Sequence, residues 1–119
     1  MSRKIYIAGP MTGYVDFNYP KFMEVEAMLR SQGFIVFNPT NKGFDEQLSD
    51  QSKENGCTLT AIEHGLNMRD IYQWDVSKVI ESDAIYVLDG YENSPGAIGE
   101  LAVARAMKHY YPEYEIIFE

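Results

Sequence analysis

Cysteine is nearly absent. Cys57 alone carries a thiol in a chain of 119 residues, so neither an intrachain disulfide nor a multi-thiolate metal site is available. Histidine is almost as scarce: His64 and His109 are the full complement, and with Cys57 they form no triad and no metal set. Positive charge is short too. Ten Lys and Arg face eighteen Asp and Glu, a formal net charge of −8, which excludes a nucleic-acid polymer or an anionic membrane as partner. Small anions stay open, because backbone N–H groups at a helix start hold a phosphate without a local cation. No apolar run approaches the length of a membrane span, and "MSRKIYIAGP" enters a short strand without a signal-peptide core. A cytoplasmic protein is expected, with no membrane partner, no metal and no cofactor.

What is present is a core and an alternation. Hydrophobic residues at 45% and aromatics at 13% fill one compact domain over residues 1–119. "KIYIA" (Lys4–Ala8) is a β-branched and aromatic run halted by Gly9-Pro10, and it predicts a strand. From Pro20 the period becomes helical, with Phe22, Val25, Met28 and Leu29 on one face and Gly33 as the stop. "FIVF" (Phe34–Phe37) predicts a strand buried on both faces. Strand, helix and strand in this span predict a parallel βαβ unit. Residues 39–67 are polar and turn-rich, either a mobile lid or a surface insertion, with a short helix capped by Thr60 and Glu63 inside it. Met68–Ser82 returns to helical period, with Ile71, Tyr72, Val76, Val79 and Ile80 on a broad apolar face. Strand Ala84–Leu88, a helix capped by Ser94 with Pro95 at its first position, and strand Glu115–Phe118 complete the chain. The alternation predicts a Rossmann-like or flavodoxin-like three-layer α/β/α fold, its sheet mainly parallel and of four to five strands.

In such sheets ligands bind beyond the carboxyl ends of the strands, which selects Gly9–Asn18, Asn38–Thr40 and Asp89–Ser94. In the first loop, "GPMTGYVDFNYP", Gly9 and Gly13 permit close backbone approach and Thr12 adds a hydroxyl; a ligand cradle and a plain turn both fit. Asp16 and Asn18 fit as caps for the following helix. Phe17 or Tyr14 is placed to stack on a base, and Tyr6 to point into the sheet. At about 100° per residue, Glu100 falls beside Ala104 and Met107, away from Arg105 and His109. The same construction puts Asp75 between Ile71 and Val79, on the apolar side of its own helix. Two acids on the inner faces of successive helices are suited to meet over the sheet edge, and paired carboxylates perform glycosyl chemistry. The plain alternative is that each caps or bridges a loop.

The blocks "IYIAGPMTGY…FNYPKF", "GFIVFNP" and "MRDIYQWDVSKVIESDAIYVLDGYENSPGAIGELAVARA" together resemble the nucleoside 2-deoxyribosyltransferase superfamily, in particular its small phage and bacterial members. The resemblance spans the chain except for Lys42–Thr58 and the last residues, and the C-terminal block is its most specific part. It implies that Glu100 is the nucleophile attacking the anomeric carbon, and that Asp75 is the general acid on the leaving base. It also implies a tyrosine assisting the nucleophile, a place that Tyr6 or Tyr14 fills. Ser94 stands where the 2′-deoxynucleoside 5′-monophosphate N-hydrolases of that superfamily carry serine and the free-nucleoside transferases carry aspartate. Its hydroxyl, with the N–H groups of Gly96 and Ala97, suits a phosphate. Those hydrolases use a basic residue in the first loop, where "GPMTGY" has none, and Arg69 or Lys42 is the substitute.

The implied ligand is therefore a nucleoside or its 5′-monophosphate. The implied substrate-binding set is Gly9, Pro10, Met11, Thr12, Gly13, Phe17, Asn18, Arg69, Asp89, Gly90, Ser94, Gly96 and Ala97. The implied reaction is N-glycosidic cleavage by hydrolysis or base exchange, with Asp75 titrating above Glu100 so that it carries the proton. A non-catalytic nucleotide or nucleotide-sugar sensor of the same fold is the alternative. Relatives of this kind are homo-oligomers, and the tail "YYPEYEIIF" suits the interface of a homodimer or larger assembly.

Overall fold

The computed structural model describes residues 2–11, 13–41 and 67–119. The reading of 39–67 as lid or insertion, and of Thr60 as a cap, falls almost wholly on 42–66, outside the described residues. Within them the chain runs β1 (Lys4–Ala8), α1 (Tyr19–Ser31), β2 (Ile35–Phe37), α2 (Met68–Glu81), β3 (Ala84–Val87), α3 (Pro95–Tyr110) and β4 (Glu115–Phe118). The four strands form one sheet in the order β2-β1-β3-β4, and every pairing is parallel. The molecule is a Rossmann-like α/β fold with the flavodoxin-like strand order.

Period-two alternation along β1 builds the two layers. Ile5 and Ile7 point to one face of the sheet, where they pack with Phe22, Val25 and Leu29 of α1. Tyr6 and Ala8 point to the other, against Val79 of α2 and Leu101 and Ala104 of α3. Each fully buried aliphatic or aromatic side chain contributes about 1.5–3 kcal/mol. Tyr114 closes the second layer by donating its hydroxyl to the Val79 carbonyl at 2.9 Å.

Three expectations need correcting. Phe34–Phe37 was expected to be buried on both faces, but β2 is an edge strand and Ile35 is 43% exposed. A short apolar run looks the same at an edge as in the centre, and only strand order separates the two. Met28 on α1 and Ile80 on α2 are exposed, although the helical period placed both on the buried side. Asn18 precedes α1 in the left-handed conformation without a side-chain capping bond; its Nδ2 donates to the Pro10 carbonyl at 3.0 Å instead, folding the first loop on itself.

After β1 the chain turns outward to β2, and then returns past β1 to lay down β3 and β4. The connections thus part company between β1 and β3, at their carboxyl ends, where the loops Gly9–Asn18 and Leu88–Ser94 diverge and leave a crevice. No helix among the described residues is long and apolar enough to cross a membrane.

Candidate active site

A cavity of about 370 Å³ occupies that crevice, within the size range of small-molecule sites. Its floor is chemical and its walls are apolar. Tyr6, Asp75 and Glu100 line the floor, while Met11, Phe17, Tyr19, Met68 and Ile71 form the apolar side. Phe17 and Tyr19 lie tilted against each other with ring centres 6.2 Å apart.

Glu100 reaches the cavity because α3 starts where it does. Ser94 precedes the helix in extended conformation, its Oγ accepts from the Ala97 amide at 3.2 Å, and Pro95 sits in the first turn. With the start fixed, Ala97, Glu100, Leu101 and Ala104 form the buried face of α3. Asp75 follows the same logic on α2: Asn67 Oδ1 caps the helix by accepting from the Asp70 amide at 3.2 Å, and Asp75 and Val79 are its buried residues. Glu100 is 6% exposed and Asp75 7%, so two buried carboxyls line one cavity.

Tyr6 rather than Tyr14 meets the glutamate. Its hydroxyl donates to Glu100 Oε2 at 3.0 Å from the centre of the sheet, whereas the Tyr14 hydroxyl lies over Gly90. Burial first, then the negative charges of Glu100 and Asp75, hold the Tyr6 hydroxyl well above its ordinary value, so it stays a donor. Glu100 itself titrates well above the usual carboxylate range: burial is the main cause, the charge on Asp75 adds to it, and the Tyr6 hydrogen bond opposes both. Burial and a neighbouring carboxylate thus both favour the protonated form of Glu100.

Tyr72 belongs to this cluster, and helical periodicity alone had assigned it to the core. It stands one turn before Asp75 on the same face of α2, lines the cavity, and donates its hydroxyl to the Gly96 carbonyl at 2.8 Å. Burial, with the charges of Glu100 and Asp75, pushes the Tyr72 hydroxyl up to about 12. The three-residue spacing from Asp75 was the available signal. Pro39, Asn93 and Pro95 complete the rim; the first two lie in the loops Asn38–Thr40 and Asp89–Ser94 that the strand-end rule selected, though no signal of their own singled them out.

Of the other nominated residues, Gly9, Ser94, Gly96 and Ala97 line the cavity with Met11 and Phe17. The Ala97 N–H is taken by Ser94 Oγ and Pro95 has none, which leaves the N–H of Gly96 from that turn. Ser94 accepts there and keeps its O–H for donation. Pro10, Gly13, Asn18, Arg69, Asp89 and Gly90 lie outside the cavity lining. Arg69 is exposed in the first turn of α2, and the Asp89 amide is bound by Glu119 Oε1 at 3.0 Å. Thr12, Lys42 and His64 fall outside the described residues. Among those residues, no group of three or more His, Cys, Asp or Glu side chains is arranged to hold a metal ion.

The chain belongs to the family described as Domain of unknown function (DUF4406), whose model matches residues 3–110. No curated protein matches it.

Proposed function

We propose that this member of the DUF4406 family cleaves the N-glycosidic bond of a nucleoside or nucleoside 5′-monophosphate, using Glu100 as nucleophile and Asp75 as general acid. The observation that carries the reading is the Tyr6–Glu100 hydrogen bond of 3.0 Å, made inside a cavity that Asp75 also lines. A buried, tyrosine-held glutamate beside a second carboxyl is the arrangement glycosyl transfer needs, with one group to meet the anomeric carbon and one to deliver a proton. The resemblance to nucleoside 2-deoxyribosyltransferases assigns the same two residues to the same two roles.

The raised titration of Glu100 fits this chemistry once the proton is followed. The charge on Asp75 is one cause of the rise, and it vanishes when Asp75 is protonated. A proton held on Asp75 rather than on Glu100 ionises the nucleophile and arms the acid together, and the Tyr6 hydroxyl favours that state. In the reaction, Glu100 Oε bonds to the anomeric carbon as the bond from that carbon to the base nitrogen breaks. The base takes its proton from Asp75. Water then attacks the glycosyl ester in a hydrolase, its proton returning to Asp75; a second base does so in a transferase. The apolar wall of Met11, Phe17 and Ile71 suits a planar base, and the Ser94 turn suits a ribose hydroxyl or a 5′-phosphate.

The test is incubation with a panel of nucleosides and 5′-monophosphates, with released base followed by chromatography. The reading predicts base release by the native protein and a loss of roughly 10³-fold or more in Glu100→Gln. Tight nucleotide binding with no base release from any substrate would replace it with a sensor. Addition of a second free base separates exchange from hydrolysis.

A further inference from the structure

Glycine recurs at the start of α3, at Gly96 and Gly99, in a turn that packs against Tyr72. Two glycines in the opening turns of a helix weaken it by about 0.5–1 kcal/mol each relative to alanine, so their presence needs a reason. The reason at Gly99 is spatial. A Cβ there would overlap the Tyr72 hydroxyl, while the next nearest atom, Tyr72 Cζ, would stand at an ordinary 3.5 Å. The ring also lies over Gly96, with Cε1 3.5 Å from where a Cβ would be. Only with Gly99 bare does the hydroxyl arrive at the Gly96 carbonyl, which it meets at 2.8 Å.

That carbonyl is the one toward which the Glu100 amide points, since an α-helix bonds each N–H to the carbonyl four residues back. Tyr72 thus clamps the peptide group that fixes the Glu100 backbone. It does so from α2, the helix that carries Asp75 one turn further on. One hydroxyl ties together the two helices that supply the two carboxyls.

We propose that Tyr72 is the positioning residue for Glu100, with Gly99 the bare position that admits it. The role rests on the catalytic reading of Glu100 for its kinetic consequence alone; the clamp itself is a feature of the fold. The groups facing Glu100 are Tyr6 from β1 and Asp75 and Tyr72 from α2. Loosening the first turn of α3 leaves Tyr6 and Asp75 in place but admits water to Glu100, which lowers its titration toward the ordinary carboxyl range.

Three variants decide the matter: Tyr72→Phe, Gly99→Ala and the double substitution. Each is followed by base release and, independently, by carboxyl carbon NMR titration of Glu100 in the whole protein. Tyr72→Phe keeps the ring and removes the clamp; kcat is expected to fall roughly 10- to 100-fold with KM little changed, the size of a small misplacement of a reacting group. Gly99→Ala displaces the hydroxyl and has the same effect. The double variant behaves as Tyr72→Phe alone, because without the hydroxyl the new methyl has room. In all three the Glu100 titration moves downward. A Glu100 titration and kcat unchanged in Tyr72→Phe would overturn the proposal, as would a Gly99→Ala effect of the same size with or without the Tyr72 hydroxyl. If the native protein releases no base, the catalytic reading fails, and the titration of Glu100 across the three variants still decides the clamp.

Discussion

The two faces of the sheet are built from the same strand and do different work. Ile5 and Ile7 look toward α1 into a layer made mostly of aliphatic side chains and Phe22, and among the described residues the buried carboxyls are Asp75 and Glu100, on α2 and α3. Tyr6 and Ala8, interleaved with them, look toward α2 and α3 into a layer that holds two tyrosines with bonded hydroxyls. Glu100 and Asp75 are buried where that second layer meets the crevice. Under the proposed function, residues one apart on β1 divide stability from chemistry. The α1 face is free to optimise packing. The other face holds a carboxyl that burial penalises, and a fold tolerates that cost where the group has a task.

The comparison is broken most decisively at Glu100. Glu100→Gln is expected to lower base release by roughly 10³-fold while the fold persists, as judged by far-ultraviolet circular dichroism. The opposite substitution, Phe22→Ala on the α1 face, should destabilise by about 3–5 kcal/mol in urea titration yet leave turnover per folded molecule unchanged. A matching loss of turnover would mean that the two faces are not separable. Tyr6→Phe ranks next. Removing a bond that lowers the Glu100 titration moves the acid limb of the pH–rate profile upward and reduces neutral turnover by about 10- to 100-fold.

The smallest effect is on stability. Because the folded state raises the Glu100 titration, it binds more protons than the unfolded chain over that range. Stability is therefore fully present below the ordinary carboxyl value and declines as pH rises through the raised one. Glu100→Gln removes the decline, so the variant should be more stable than the native protein at neutral pH, with that difference shrinking away in acid. A constant difference across pH would show that burial does not penalise the charge.

Much of this was legible in the sequence, for identifiable reasons. Helical angles placed Asp75 and Glu100 on inner faces because a carboxylate between aliphatic neighbours at helical spacing has few other places to go. Ser94 was readable as a cap from Pro95 and the small residues after it, and the structure has that bond. The strand alternation was enough for the α/β class. Other features depend on pairing across the chain. Period two along β1 separates Tyr6 from Ile5 and Ile7 but does not say which face meets Glu100, so Tyr6 and Tyr14 stood equal. Apolar content alone could not show that Phe34–Phe37 lies at an edge. Tyr72 was hidden for the same reason: its partner, the Gly96 carbonyl, is a backbone group 24 positions away, and no residue type announces a carbonyl.

The central claim is that Glu100 bonds to the sugar. It is tested most directly by quenching the protein with a turned-over nucleoside or 5′-monophosphate substrate and mapping its peptides by mass spectrometry. The account predicts a glycosyl adduct on the peptide containing Glu100, absent in Glu100→Gln. Base release with the adduct on another residue, or persisting at full rate in Glu100→Gln, would contradict it.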